Sequence, residues 1–132
     1  MRDFQMEYAR KCMLIDDDPD DHEIFLMALE VADLGIECIC ANDGREALQI
    51  LASDPFLIPE FIYIDMNMPE MNGMECLAEL VKMERLSTVP KYLYSTSADP
   101  KMIEKSKSLG ATGFVIKPTS VEEFARLLAM HK

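Results

Sequence analysis

Short apolar runs alternate with helical stripes along this chain. Cys12 to Ile15 is an apolar run that ends in acids. Phe61-Ile62-Tyr63-Ile64, Tyr92-Leu93-Tyr94 and Phe114-Val115-Ile116 are aromatic and β-branched runs. Continuous runs of this length suit strands buried on both faces of a parallel sheet. Ile36 to Ala41 is interrupted by Glu37 and reads as an edge strand. The gaps carry helical spacing. Ile24, Phe25, Ala28, Leu29 and Ala32 form one stripe, with Pro19 at its start. Asp43 with Glu46 predicts a capping box ahead of Ala47, Leu48 and Leu51. Met74, Leu77, Leu80 and Val81 form a third stripe after Asn72-Gly73. Pro100 to Leu109 is a fourth helix ended by Gly110, and Ser120 with Glu123 caps a fifth carrying Phe124, Leu127 and Leu128. The fourth is the least apolar. Its inward residues are Met102, Ile103 and Leu109, which makes it a candidate moving part.

Strict strand–helix alternation implies an α/β sandwich with a parallel sheet and right-handed crossovers. A closed eight-fold barrel needs roughly 250 residues, and this chain has 132. The expectation is an open sheet in one domain, 1–132, with its core at about 11–130 and no output domain after it. Open sheets place their sites at the carboxyl ends of the strands.

Composition narrows the partners. The chain holds 24 acidic and 13 basic residues, for a net charge of −11. Nucleic-acid binding draws on basic patches, so DNA or RNA is not expected as a partner. No apolar run approaches the roughly 20 residues needed to span a bilayer. Met1 to Lys11 is mixed polar and lacks a signal-like apolar region. Cys12, Cys38, Cys40 and Cys76 show no CxxC spacing and read as reduced buried thiols. The expectation is a cytoplasmic protein, monomeric or a weak homodimer.

The chemistry lies after the strands. Asp16-Asp17-Asp18 follows the first, Asp65 the third, Ser95 and Thr96 the fourth, and Lys117-Pro118 the fifth. Gathered on one rim, carboxylates about 4 Å apart repel by about 4 kcal/mol per pair at an effective dielectric of 20. A hard divalent cation with oxygen ligands, helped by one lysine, offsets that repulsion. Asp65 is then placed as a carboxylate nucleophile toward a phosphoryl group. The cation and Lys117 would neutralise charge on the transferring group, and the Ser95 hydroxyl could hydrogen-bond the product.

The stretches Leu14-Ile15-Asp16-Asp17-Asp18, Ile64-Asp65-Met66-Asn67-Met68-Pro69-Glu70-Met71-Asn72-Gly73 and Gly113-Phe114-Val115-Ile116-Lys117-Pro118 resemble the receiver domain of two-component signalling. The resemblance covers about Lys11 to Met130. It implies a flavodoxin-like (βα)5 open parallel sheet in the order 2-1-3-4-5, with helices on both faces. By the same resemblance Asp65 is the phosphoacceptor. Asp16 and Asp17 join it as metal acids, with Asp17 direct and Asp16 acting through water, and the Asn67 backbone carbonyl completes the protein's set for Mg²⁺ or Mn²⁺. Ser95 and Thr96 lie at the phosphoryl site, Phe114 is the aromatic that turns inward with Ser95, and Lys117 contacts the phosphoryl group. The Lys117–Pro118 peptide is expected to be cis. A histidine kinase or phosphotransfer protein is the implied donor, and a separate protein the implied target.

Ser95 stands where threonine is commoner in that family, Thr96 where a small residue is, and Phe114 where tyrosine is frequent. Asp18 adds a third acid, read as a helix cap. Asn67 and Ser97 lie where side chains tune phosphoryl lifetime. His22 is expected on the solvent side of the first helix, and His131 beside the C-terminus is given no chemical role. The methionines around the acceptor loop (Met66, Met68, Met71 and Met74) read as adaptable packing.

Rival readings fare worse. A phosphohydrolase would want an acid two residues after Asp65, where Asn67 stands. A nucleotide or flavin carrier would want a Gly- or Ser/Thr-rich loop after the first strand, where acids stand. A degenerate receiver used only as a protein-interaction module is the remaining alternative.

Overall fold

A computed structural model describes residues 10–132. The reading of Met1 to Lys11 therefore lies almost wholly outside the described residues. Five parallel strands form one sheet in the order β2-β1-β3-β4-β5. They are β1 (Arg10–Ile15), β2 (Ile36–Ala41), β3 (Ile62–Asp65), β4 (Lys91–Ser95) and β5 (Gly113–Ile116). Helices α1 (Pro19–Ala32), α2 (Gly44–Ser53), α3 (Gly73–Val81), α4 (Pro100–Leu109) and α5 (Val121–Leu128) connect or follow them. The alternation seen in the sequence is reproduced, with strand ends moved by one or two residues.

The pleat sorts side chains into two layers, because successive strand residues face opposite ways. Met13, Ile15, Ile62, Ile64 and Leu93 pack under α2, α3 and α4 with Leu51, Leu77 and Leu80. Cys12, Leu14, Tyr63 and Tyr94 pack under α1 and α5 with Phe25, Leu29, Phe124 and Leu128. The central strands β1 and β3 are buried on both faces, as their unbroken apolar runs require. β5 departs from that expectation. It is an edge strand, Phe114 is half-buried, and Ile116 is 59% exposed. Edge position halves the neighbours available to cover it.

Helix ends follow the sequence with small differences. Asp18 caps α1, its Oδ1 accepting from Asp20 N at 2.9 Å. Asp43 and Ser120 each accept from the backbone N–H three residues on. Their glutamates turn elsewhere: Glu46 accepts from Asn42 and Glu123 from Thr119. The full capping box forms instead at Asn72 and Glu75, whose N-x-x-E spacing carried the same signal. α4 ends at Gly110, where φ is +113°. Only Ser106 of α4 is fully buried, its hydroxyl donating to Ile103 O, so this helix is the least anchored of the five.

Gly73 brings α3 against the end of β3. A Cβ there would lie 2.5 Å from Asp65 O and 2.8 Å from Met66 Cα. That contact explains why a side-chain-free residue follows the acceptor loop. Met66, Met68 and Met74 are buried around this loop, as packing residues should be.

Candidate metal and phosphoryl site

The loops after β1, β3, β4 and β5 meet at the carboxyl rim. Asp16, Asp17 and Asp65 each bring a carboxylate oxygen within 4.8 Å of the others. Asp16 is fully buried and Asp65 nearly so, while Asp17 is exposed. The cavity beside them is lined by Asp17, Asp18, Asp21, Asp65, Asn67, Thr96 and Lys117. Lys117 Nζ lies 3.3 Å from Asp65 Oδ1 and 3.4 Å from Asp16 Oδ2. The rim thus assembles every acid and the lysine picked out from the sequence.

Electrostatics follow from crowding. Burial raises Asp16 to about 7, against hydrogen bonds from Tyr94 and the Asp18 N–H, and the Asp65 charge adds to the rise. Burial also raises Asp65, while Lys117 pulls it back. For Lys117, burial alone would lower the ammonium, but the Asp21 hydrogen bond and the charges of Asp16 and Asp65 more than reverse this. Burial is the main cause of both rises, and separately four rim acids, Asp16, Asp17, Asp21 and Asp65, share one lysine, an excess of negative charge. Three hard oxygen donors around that excess fit a small divalent cation.

The switch positions are also gathered. Ser95 is buried at the end of β4, and its Oγ accepts from Asn67 Nδ2 at 3.2 Å and from Ser97 N at 3.4 Å. Asn67 N donates to Asp65 Oδ1 at 3.3 Å. Thr96 is exposed at the cavity mouth. Phe114 sits half-buried against the α2–α4 layer.

Two sequence expectations need correction, and His131, which was given no chemical role, proves to have a packing one. No described peptide bond is cis, so Lys117–Pro118 is trans. Trans is the lower-energy isomer of an X–Pro bond by about 0.5–1 kcal/mol, and from it Lys117 already reaches three carboxylates. His22 is half-buried rather than solvent-facing, its Nε2 lying 2.5 Å from Asp16 O. His131 is built into the core edge, stacked on Phe61 with centroids 3.8 Å apart and 3.1 Å from the Tyr63 hydroxyl.

Two site residues escaped the sequence reading. Asp21 is the nearest partner of Lys117, at 2.6 Å. It lies in the first turn of α1, where an acid reads simply as a helix-start residue. Tyr94 donates its hydroxyl to Asp16 Oδ2, and its ring lies 4.7 Å below Lys117 Nζ. Nothing local in Tyr92-Leu93-Tyr94 distinguishes it from a core aromatic.

The family model for the response regulator receiver domain matches residues 12–129. The chain therefore belongs to the response regulator receiver family, whose members are signalling switches. It is similar to the regulatory protein AtoC of Escherichia coli, at 30% identity over 118 residues, covering 89% of this chain and 24% of that protein. A rice two-component response regulator, ORR11, is 26% identical over 117 residues, covering 89% of this chain and 77% of that protein. This chain also matches 5% of the fission-yeast peroxide stress-activated histidine kinase mak3, so it spans only a small part of some relatives. Among solved structures it resembles the Vibrio cholerae chemotaxis response regulator CheY4 (28% identity, 93% of this chain and 98% of that one, TM-score 0.78). It also resembles the phosphorylated cyanobacterial phytochrome response regulator RcpA (25% identity, 92% and 89%, TM-score 0.80). No described helix is long and apolar enough to cross a membrane.

Proposed function

We propose that this receiver accepts a phosphoryl group on Asp65 from a phosphohistidine, in a reaction dependent on Mg²⁺ or Mn²⁺, and thereby switches a protein-binding surface. The observation that carries the reading is the convergence of Asp16, Asp17 and Asp65 within 4.8 Å beneath the Lys117 ammonium. Asp17 and Asp65 would hold the cation with the Asn67 backbone carbonyl, and Asp16 would act through water. When bound, the cation neutralises phosphoryl oxygens and orients the incoming group.

A carboxylate oxygen of Asp65 attacks phosphorus, and the phosphorus–nitrogen bond of the donor breaks. The electron pair leaves with the imidazole, which then takes a proton. Lys117 leaves one of its acids to meet the phosphoryl oxygens. The Ser95 hydroxyl accepts from Asn67, which leaves its O–H to donate to the phosphoryl group as the side chain rotates toward it. That rotation, with Phe114 moving inward, shifts the equilibrium of the α4–β5–α5 face. The weak anchoring of α4 supports this choice of face. The partners are a histidine kinase or phosphotransfer protein upstream and a separate target downstream. The match to ORR11 over most of that protein's length supports a receiver acting through another protein.

The test is intact mass after incubation with Mg²⁺ and a small phosphodonor. One phosphoryl mass is expected on the native chain and none on Asp65→Ala or without metal. If the native chain gains no mass and binds no metal, the protein is an interaction module instead.

A further inference from the structure

Tyr94 meets three requirements that a core filler does not have. It is 1% exposed, so its hydroxyl has no access to bulk water. Its donor is aimed at a single acceptor, Asp16 Oδ2. Its ring face lies 4.7 Å from Lys117 Nζ, within the range where a cation is drawn to an aromatic face. One side chain therefore touches both the buried acid and the lysine at the site.

We propose that Tyr94 is a positioning residue for divalent-cation binding: its hydroxyl fixes the Asp16 carboxylate and its ring seats the Lys117 ammonium. The proposal rests on the metal reading above and deepens it.

The hydrogen-bond inventory of Asp16 supports this. Its Oδ1 accepts from Asp18 N at 2.9 Å. Its Oδ2 accepts from Tyr94, with Lys117 farther off at 3.4 Å. Asp16 is fully buried in the metal-free protein, so bulk water does not reach it to replace a lost donor. Removing the phenol hydroxyl leaves Oδ2 with only the longer contact, and the carboxylate loses the restraint on its rotation. The ring itself is held by an edge contact to Tyr63 and a tilted contact to Phe124, with centroids 6.1 Å away in each case. The placement comes from the sheet: Tyr94 is the last residue but one of β4, β3 separates it from β1, and a phenol is long enough to reach Asp16 across that strand. Groups behind metal ligands typically change metal affinity about 10–100-fold when removed.

The test compares the full chain with Tyr94→Phe and, as control, Tyr92→Phe. Mg²⁺ titration by calorimetry gives affinity. Near-UV circular dichroism gives a second readout, since the chain has four tyrosines and no tryptophan. Tyr94→Phe keeps the ring and its packing, and thermal melts check that it folds. The expected result is Mg²⁺ binding weakened about tenfold in Tyr94→Phe and unchanged in Tyr92→Phe. The tyrosine dichroism change on adding Mg²⁺ should vanish only in Tyr94→Phe. Affinity within twofold of native, or tighter, overturns the role of Tyr94 while the metal reading stands. Absence of Mg²⁺ binding in the native chain overturns both.

Discussion

At the amino-terminal rim of the sheet, Lys91 is 4% exposed, and its Nζ donates to Leu86 O at 2.5 Å and Val89 O at 2.9 Å. His131 completes that rim between Phe61 and the Tyr63 hydroxyl. At the carboxyl rim, Asp16, Asp65 and Ser95 are buried, with Lys117 among three carboxylates. At the first rim Lys91 closes on backbone carbonyls and His131 on aromatic partners within the chain. The second leaves like charges facing one another. A fold resolves buried polarity internally where it serves only structure. It leaves an imbalance where something from outside is to bind.

Divalent cation should separate the rims most. With Mg²⁺ at 100 times its dissociation constant, linkage predicts about 2.7 kcal/mol of added stability. Chemical denaturation with and without Mg²⁺ measures it. The gain should disappear in Asp17→Asn and persist in Lys91→Met, and equal gains in both variants would break the comparison.

Next in size is Lys91→Met, which leaves two inward carbonyls without their donor. We expect a loss of about 1–3 kcal/mol, read by urea unfolding and unchanged by Mg²⁺. A neutral or stabilising result would mean that the desolvation that lowers Lys91 outweighs its two hydrogen bonds.

The rims should also answer acid with opposite sign. Asp16 titrates at about 7 when folded against 3.8 ordinarily, so the native state takes its proton first. The metal-free protein should therefore gain stability as pH falls from 8 through 7 toward the ordinary value. Melting temperature against pH checks this, and Asp16→Asn should flatten the rise.

The smallest effect belongs to His131, which burial lowers below its ordinary 6.5 against a partial rise from Glu60. Here the unfolded chain takes the proton first. Its contribution is present above 6.5 and is lost as pH falls through that value toward the folded one. The melting-temperature difference between native and His131→Phe should shrink as pH drops from 7.5 to about 5.5. A difference independent of pH would show that stacking alone holds this residue.

Much of the fold was legible in the sequence because periodicity is a local property. Unbroken apolar runs marked β1 and β3, and helical stripes marked all five helices. Caps such as Asp18 and Ser120 sat where short polar side chains reach backbone N–H groups. Asp16, Asp17, Asp65 and Lys117 were legible too, since each lies at or just past the carboxyl end of a strand and parallel strands share one carboxyl rim.

What the sequence could not determine depends on strand order and side-chain reach. Tyr94 finds Asp16 across 78 residues, and Lys117 finds the same acid across 101. Those pairings exist only once β4 and β5 are stacked beside β3 and β1. The trans Lys117–Pro118 bond, the half-covered β5 and the core role of His131 are of the same kind. Local spacing decides which residues become strand, helix and rim. Tertiary packing decides which buried charges find partners, because a desolvated group interacts with whatever the sheet brings within a few ångströms.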